Sequence, residues 1–257
     1  MKRWLLPILL LLPQMLSPLR LPAREERNSQ EHYRKEIYQA YLDSRMDRWK
    51  MVMEEMEAEY RRDPDNGLLY EMCEAYYGYI PWCISVKKKQ EAERLLGRAE
   101  ELIEILLQKE SGNARATSLR GAFYGFRVGL EPLKAPFYGR KSYEANEKAL
   151  ELDPEEPQAW MEKANIAFYK PAIFGGSDRE AVPLYEKAVR LFESIPGRTE
   201  NNWIYLNCLA GFGIACEETG EITRAGEVYR KLLRLEPTFK WVRDELYPEY
   251  LQKHFSR

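Results

Sequence analysis

Few residues in this sequence are of the kinds that carry out acid–base, nucleophilic or metal chemistry, and their spacing does not bring them together. The two histidines, His32 and His254, lie near opposite ends of the chain, and no serine or cysteine is placed by sequence to act with either as a nucleophile. The adjacent glutamates Glu217 and Glu218 are typical of solvated helix faces. No motif for phosphate binding, dinucleotide binding or zinc proteolysis is present. We therefore predict a protein that is not an enzyme, with no catalytic residues, no cofactor and no metal.

The four cysteines could serve as disulfide partners or as small buried side chains. Cys208 and Cys216 are eight residues apart in one helical pattern, which separates them by about 12 Å, too far for a disulfide. Cys73 and Cys83 can form a bridge if the chain between them folds back, and they are otherwise two buried thiols. The sequence leaves both options open for this pair.

The composition is that of a folded chain without a strong net field. Of its 257 residues, 45% are hydrophobic and 31% are charged, which provides enough apolar material for a sizeable core. The 39 basic and 41 acidic residues leave a formal charge of −2. Because such a balance gives no strong attraction for a phosphate backbone, we expect no nucleic-acid partner.

The first 23 residues differ from the rest and are typical of a secretory signal peptide. Lys2 and Arg3 form a basic start, and residues 4–12 are apolar except for Pro7. This apolar stretch is short and rich in proline for a segment that spans a bilayer. We predict an exported protein, periplasmic or associated with the cell envelope, whose mature part comprises residues 24–257. An uncleaved N-terminal anchor is the alternative.

Five segments share a helical pattern that is followed by a polar or proline-containing break, which indicates an internal repeat. The last unit is the most regular. Its key positions are Leu209, Phe212, Gly213, Cys216, Gly220, Ala225, Tyr229, Leu232 and Pro237. Small residues at 213 and 225 allow two helices to cross closely, and Gly220 suits a left-handed turn between them.

This pattern resembles that of the tetratricopeptide-repeat (TPR) family, with Cys216 in place of the usual aromatic residue and Leu232 in place of alanine. The resemblance covers most of residues 31–239. It implies an all-α fold, a right-handed superhelix of about five helical hairpins. Residues 241–255 are expected to form a C-terminal capping helix, because the last repeat would otherwise expose its apolar face.

Three of the five units contain more residues between their two helices than the pattern requires. The small position of the first helix and the alanine-type position of the second are 12 residues apart in the last unit, but 17, 21 and 17 residues apart in the second, third and fourth units. The extra residues lie in segments 77–88, 127–141 and 169–178. Insertions at one point of consecutive repeats leave the array at the same edge.

Aromatic residues in these segments define a candidate edge for contacts with another molecule. They are Trp82, Phe137, Tyr138 and Phe174. Loops on a surface do not ordinarily carry so many large apolar groups. Either the segments pack on one another as an extra layer, or they form the wall of a binding groove.

The TPR resemblance also predicts which residues face the concave groove of the superhelix. The candidates for binding are Tyr41, Tyr76, Tyr79, Arg115, Phe126, Asn165, Tyr169 and Asn207. Aromatic side chains in such a groove suit an extended peptide or a flat apolar ligand. The same tyrosines would also serve to fill the centre of a tightly wound superhelix.

The leading functional hypothesis is therefore a non-catalytic scaffold of the cell envelope that holds a protein or peptide in this groove. A second hypothesis is an extracytoplasmic protein that binds a small molecule, a hydrophobic ligand or a lipid. It would be similar to the TPR component associated with TRAP-type transporters. A third is an assembly role, in which the exposed edge docks on a membrane complex and the protein associates peripherally with the membrane.

Overall fold

The computed structural model describes residues 23–255, so residues 1–22 of the predicted signal peptide lie outside the described part. In that part the chain folds into eleven α-helices and has no strand. Their bounds are α1 (Ala23–Leu42), α2 (Met46–Arg62), α3 (Asn66–Ser85), α4 (Lys89–Lys109), α5 (Ala114–Leu130), α6 (Ala135–Leu152), α7 (Pro157–Tyr169), α8 (Asp178–Ser194), α9 (Trp203–Glu218), α10 (Ile222–Leu235) and α11 (Tyr247–Phe255).

The first ten helices form five hairpins, each made of an A helix and the B helix that follows it. The A helices are α1, α3, α5, α7 and α9, and each contacts the next one in the array. The B helices are amphipathic, as α10 shows with Ala225, Val228, Tyr229 and Leu232 buried on one face. In contrast, α9 is apolar on all sides because it lies between its neighbours and the centre of the molecule. The predicted all-α superhelix of helical hairpins is confirmed.

The last hairpin depends on the small residues that the repeat pattern identified. A β-carbon at Gly213 would lie 2.4 Å from the ring of Tyr229, which is fully buried on α10. The two helices can therefore approach this closely only where a side chain is missing. Gly220 has a φ of +82° in the turn between them, a conformation that glycine adopts without steric cost.

The extra residues of the second and third hairpins lengthen their helices instead of forming loops. Residues 77–85 are the last turns of α3, and residues 127–130 and 135–141 belong to α5 and α6, joined by a short 3₁₀ turn. In the fourth hairpin, residues 169–178 contain a 3₁₀ turn, and Gly175 has a φ of +86°. Ser177 then caps α8 by accepting a hydrogen bond from the backbone N–H of Glu180 (3.3 Å). Most of segments 77–88 and 127–141 therefore continues the helices, and residues 86–88 and 131–134 connect them.

The helical path of α3 also decides the question of a disulfide. Cys73 and Cys83 are ten residues apart on this one helix, about 15 Å along its axis, so they cannot form a bridge. All four cysteines are buried and free.

A C-terminal cap closes the array, as predicted. A short π-helix over Val242–Leu246 redirects the chain before α11, which begins just ahead of Pro248. On α11, Tyr250 packs edge-on against Tyr229 (5.3 Å between ring centroids) and its hydroxyl donates to the backbone carbonyl of Ile222 (2.9 Å). The cap thus covers the outer face of α10.

Candidate functional site

The centre of the superhelix is filled by aromatic side chains from the first and last hairpins. The ring of Tyr41 on α1 lies 6.2 Å from Trp49, 5.5 Å from Trp203 and 4.9 Å from Phe239, measured between centroids. Its hydroxyl donates to Oδ1 of Asn207 (3.2 Å). Tyr41 and Asn207 were both predicted to face a groove, and the structure brings them together in a packed interior.

A second group of buried residues continues this interior towards the middle hairpins. Phe126 stacks on Tyr77 (5.7 Å between centroids), and the hydroxyl of Tyr77 donates to Glu162 (2.5 Å). Asn165 donates to the same carboxylate (3.2 Å) and accepts a hydrogen bond from the hydroxyl of Tyr185 (2.6 Å). Burial raises the pKa of Glu162 to about 7, and the two donors offset part of that effect. Two further predicted residues, Phe126 and Asn165, therefore serve an internal polar and aromatic network.

The other predicted groove residues are spread over different parts of the fold. The hydroxyl of Tyr76 donates to Glu57 on α2 (2.9 Å), a carboxylate that also pairs with Arg98. Tyr79 is buried against Trp82 (5.1 Å between centroids). Tyr169 lies at the end of α7 with 71% of its surface exposed. These three residues do not share a binding surface with Tyr41.

The remaining predicted residue, Arg115, lies in a cavity at the edge of the array where the A helices begin. This cavity has a volume of about 220 Å³, and a shallower recess of about 610 Å³ adjoins it through Arg34, Glu71 and Arg115, which line both. The walls of the smaller cavity combine charged and apolar side chains. They include Arg34, Glu71, Glu74, Arg115, Gln158, Arg198, Glu200, Ile37, Met56, Phe192 and Trp203.

Two ion pairs and one longer contact neutralise part of the charge around this cavity. Arg34 on α1 pairs with Glu71 on α3. Arg198 donates to Glu156 (2.8 Å), which also accepts a hydrogen bond from the backbone N–H of Gln158 at the start of α7 (3.2 Å). Arg115 approaches Glu156 at 3.6 Å, and its guanidinium lies over the ring of Tyr70. The basic groups are thus held in place by carboxylates behind the cavity wall.

Glu74 and Gln158 differ from these pairs because their polar atoms are not fully used. Glu74 accepts a hydrogen bond from the hydroxyl of Tyr70, and has no salt-bridge partner among the described residues. Burial, together with the negative charge of Glu71, raises the pKa of Glu74 to about 7. Gln158 is 2% exposed, and its Nε2 atom has no hydrogen-bond partner in the described part of the chain.

Sequence reasoning found Arg115 but did not place Glu71 or Glu74 in a binding site. A signal for the two glutamates is present, because they lie one turn apart on α3, a helix whose other inward positions are apolar. Acidic residues are seldom buried without a partner.

The opposite edge, where the A helices turn into the B helices, exposes apolar side chains. Leu133 is fully exposed, Ile173 is 86% exposed, and Tyr169 and Phe137 add further apolar surface. Phe137 contacts Tyr138 (5.2 Å between centroids) and lies under the ammonium group of Lys141. We call this surface the turn edge.

Two further residues of the predicted edge complete its description. Trp82 is half-buried, with Lys88 Nζ 4.7 Å from its ring centroid. The side chain of Phe174 lies outside what the structure describes.

No protein-family model matches the sequence, and no curated protein matches it. Solved structures do match its fold. The HusA haemophore from Porphyromonas gingivalis superposes with a TM-score of 0.59 at 22% identity, covering 74% of this chain and 93% of that one. TTC0263, a thermophilic TPR protein of Thermus thermophilus, gives a TM-score of 0.59 at 15% identity over 88% of this chain and 98% of that one. The fold is that of a TPR protein.

In this TPR fold, the aromatic groove that the repeat pattern predicted is occupied by the protein's own side chains. The turn edge and the cavity at the opposite edge are two further features of the described residues. Within residues 23–255, no helix is long and apolar enough to cross a membrane. The same residues contain no group of histidine, cysteine and acidic side chains arranged to hold a metal ion.

Proposed function

We propose that this protein is a non-catalytic binding protein of the cell envelope that holds a partner protein on its turn edge. The observation that carries this proposal is the exposure of large apolar side chains from consecutive hairpins on one edge, above all Leu133, Ile173 and Tyr169. Contiguous apolar surface of this kind marks sites where proteins dock on other molecules. The fold supplies a rigid support for it, since helical repeats commonly present extended binding surfaces.

The charges of the turn edge indicate the kind of partner that fits it. Segments 86–89, 131–141 and 169–179 together contain eight basic and two acidic residues. One of the acidic residues, Glu131, is already paired with Arg127 and Lys134. A partner with an apolar patch and an acidic rim would therefore complement this edge.

The turn edge is favoured over the concave groove because aromatic side chains of the protein pack together where the groove was predicted. A peptide along the axis would have to displace Trp203, which is buried against Tyr41, Trp49 and Tyr77. Displacement of a buried aromatic side chain costs several kcal/mol before any new contact forms. Binding at the turn edge requires no such rearrangement.

A cross-linking experiment in the native envelope tests this proposal. The double variant Leu133→Ser, Ile173→Ser removes two exposed apolar groups that stabilise nothing inside the fold. We expect the partner that cross-links to the native protein, identified by mass spectrometry, to be lost from this variant. Met51→Ser is the matched control, because Met51 is also an exposed apolar residue but lies on α2, away from the turn edge. If the double variant keeps the partner, the turn edge is not its binding site.

The location in the envelope rests on residues 1–23 and is tested separately. We expect N-terminal sequencing of the protein recovered from its native cells to begin near residue 24, and fractionation to place it outside the cytoplasm. A full-length chain recovered from the cytoplasm would contradict this part of the proposal.

A second candidate function is the binding of a flat apolar ligand such as haem. It is favoured by the similarity in fold to HusA, which is described as a haemophore. The exposed aromatic rings of Tyr169 and Phe137 offer a surface on which a porphyrin could stack. Titration with haemin, followed by its absorbance, should then saturate at one equivalent, and Tyr169→Ala should weaken binding. Unsaturable binding that the variant does not change would exclude this candidate.

A further inference from the structure

The cavity at the edge where the A helices begin contains polar groups that the fold itself does not use. Nε2 of Gln158 lacks a hydrogen-bond acceptor among the described residues, although the residue is almost completely buried. An unpartnered donor in such a place costs free energy, and native proteins rarely tolerate one without a ligand, a water molecule or a functional reason. Arg115 lines the same cavity, and its contact with Glu156 is long, at 3.6 Å.

The cavity also contains an acidic group without a cationic partner in the described part of the chain. The carboxylate of Glu74 is bonded to the hydroxyl of Tyr70, while the nearby Glu71 is engaged by Arg34. Basic and acidic groups thus line the same cavity, and the Tyr70 hydroxyl contacts both Glu74 and Oε1 of Gln158 (3.3 Å), which places these two side chains next to each other. A simple anion would meet Glu74 and Glu200, and a simple cation would meet Arg115 and Arg198.

Apolar side chains form another part of the wall. Ile37, Met56, Phe192 and Trp203 line the cavity next to the charged groups. The volume of about 220 Å³ corresponds to several water molecules, which is room for a molecule of the size of an amino acid. The recess that adjoins the cavity provides a path from solvent.

We infer that this cavity binds a small zwitterion, a free amino acid with an apolar side chain being the class that fits it best. The carboxylate of the ligand accepts hydrogen bonds from Arg115 and from Nε2 of Gln158. Its ammonium group pairs with Glu74, and its side chain lies against Trp203 and Phe192. Charge-assisted hydrogen bonds to the carboxylate and to the ammonium group then replace the contacts with water that each group loses on binding.

The twenty free L-amino acids are the probes for this site, measured one at a time by the shift in thermal unfolding temperature and then by calorimetric titration. A ligand that binds the folded state raises its stability in proportion to the logarithm of its concentration above Kd. We expect at least one amino acid with an apolar side chain to bind at one equivalent. Its N-acetyl derivative lacks the ammonium group and its amide lacks the carboxylate, so both should bind at least tenfold more weakly.

Two variants of the protein assign the binding to this cavity. Gln158→Met keeps the length of the side chain and removes the unpartnered donor, together with the long contact (3.3 Å) that Oε1 makes with the Tyr70 hydroxyl. It should fold normally and bind the amino acid at least tenfold more weakly. Glu74→Gln should weaken the binding of the free amino acid by a similar factor. It should leave the weak binding of the N-acetyl derivative unchanged. Failure of all twenty amino acids to bind would overturn the inference. Unchanged affinity in Gln158→Met, or equal affinity for the blocked derivatives, would also overturn it.

Discussion

The buried carboxylate of Glu162 should make the protein less stable as the pH rises from about 4.5 to about 7. Glu162 is 5% exposed, and its hydrogen-bond partners, Tyr77 and Asn165, are both uncharged. Burial disfavours its ionised form and raises its pKa from 4.5 to about 7. The substitution Glu162→Gln keeps the carbonyl that accepts both hydrogen bonds and removes the ability to ionise.

The size of the effect follows from the difference between the folded and unfolded pKa values. Between pH 4.5 and pH 7, the folded chain keeps a proton on Glu162 that the unfolded chain has released. The free energy of unfolding therefore falls with rising pH in this window. At about 1.4 kcal/mol for each pH unit, the total loss is about 3 kcal/mol once the pH exceeds 7. Below pH 4.5 the carboxyl is protonated in both states and contributes no pH dependence.

Urea unfolding of the wild type and Glu162→Gln at pH 5 and pH 8 measures this difference directly. We expect the variant to be more stable than the wild type by about 2–3 kcal/mol at pH 8 and to differ by less than about 1 kcal/mol at pH 5. Glu54→Gln, at an exposed position on α2, controls for the loss of a surface carboxylate. An equal difference between variant and wild type at the two pH values would refute the reasoning, as would a variant that is less stable at pH 8.

Four further substitutions test the packing and the helix capping. Trp203→Ala should lower the free energy of unfolding by about 3–5 kcal/mol, because it empties the contact between the first and last hairpins; an effect below about 1 kcal/mol in chemical denaturation would contradict this role. Gly213→Ala should lower the free energy of unfolding by about 1–3 kcal/mol, since the new methyl group meets the ring of Tyr229. In contrast, Gly97→Ala should raise it by about 0.5–1 kcal/mol, because a β-carbon there has no neighbour within 4 Å. Asn113→Ala should lower the free energy of unfolding by about 1 kcal/mol, because the side chain of Asn113 caps α5. Thermal unfolding followed by circular dichroism checks this, and an unchanged unfolding temperature would contradict the role of the cap.

The repeat architecture could be predicted because its determinants are local. Apolar residues at helical spacing define each helix, and Gly213 and Ala225 mark the place where two helices cross. The C-terminal cap was equally predictable, since the last repeat needed a cover for its apolar face. These features depend on residues that are close in sequence.

The structure of the extra residues could not be derived from their number. An excess of five or nine residues between two reference positions is compatible with a loop or with additional helical turns. Prolines lie in these segments without ending the helices. Pro81 lies inside α3, and Pro136 lies in the first turn of α6, where a missing N–H has no cost. The aromatic content was the better guide, because Tyr77 and Tyr79 are buried in the core of the helical layer.

The candidate sites were harder to predict because they depend on contacts between distant repeats. Asn207 was assigned to a groove from its position within a repeat, but whether that groove is open depends on Tyr41, 166 residues earlier in the chain. The polar cavity likewise combines side chains from α1, α3, α5 and α7 with the segment that precedes α9. A pattern read one repeat at a time contains no information on how tightly the array winds.

The contact between the first and last hairpins changes how this array should fold. In an open solenoid each repeat contacts only its neighbours, so the ends can unravel independently of the middle. Here the hydroxyl of Tyr38 donates to Glu236, 198 residues away, and α1 packs against α9. Contacts of such sequence separation slow folding, because a long loop must close before they form. They also join the two ends into one cooperative unit, so that removing the last hairpin should destabilise the first one as much as its immediate neighbour.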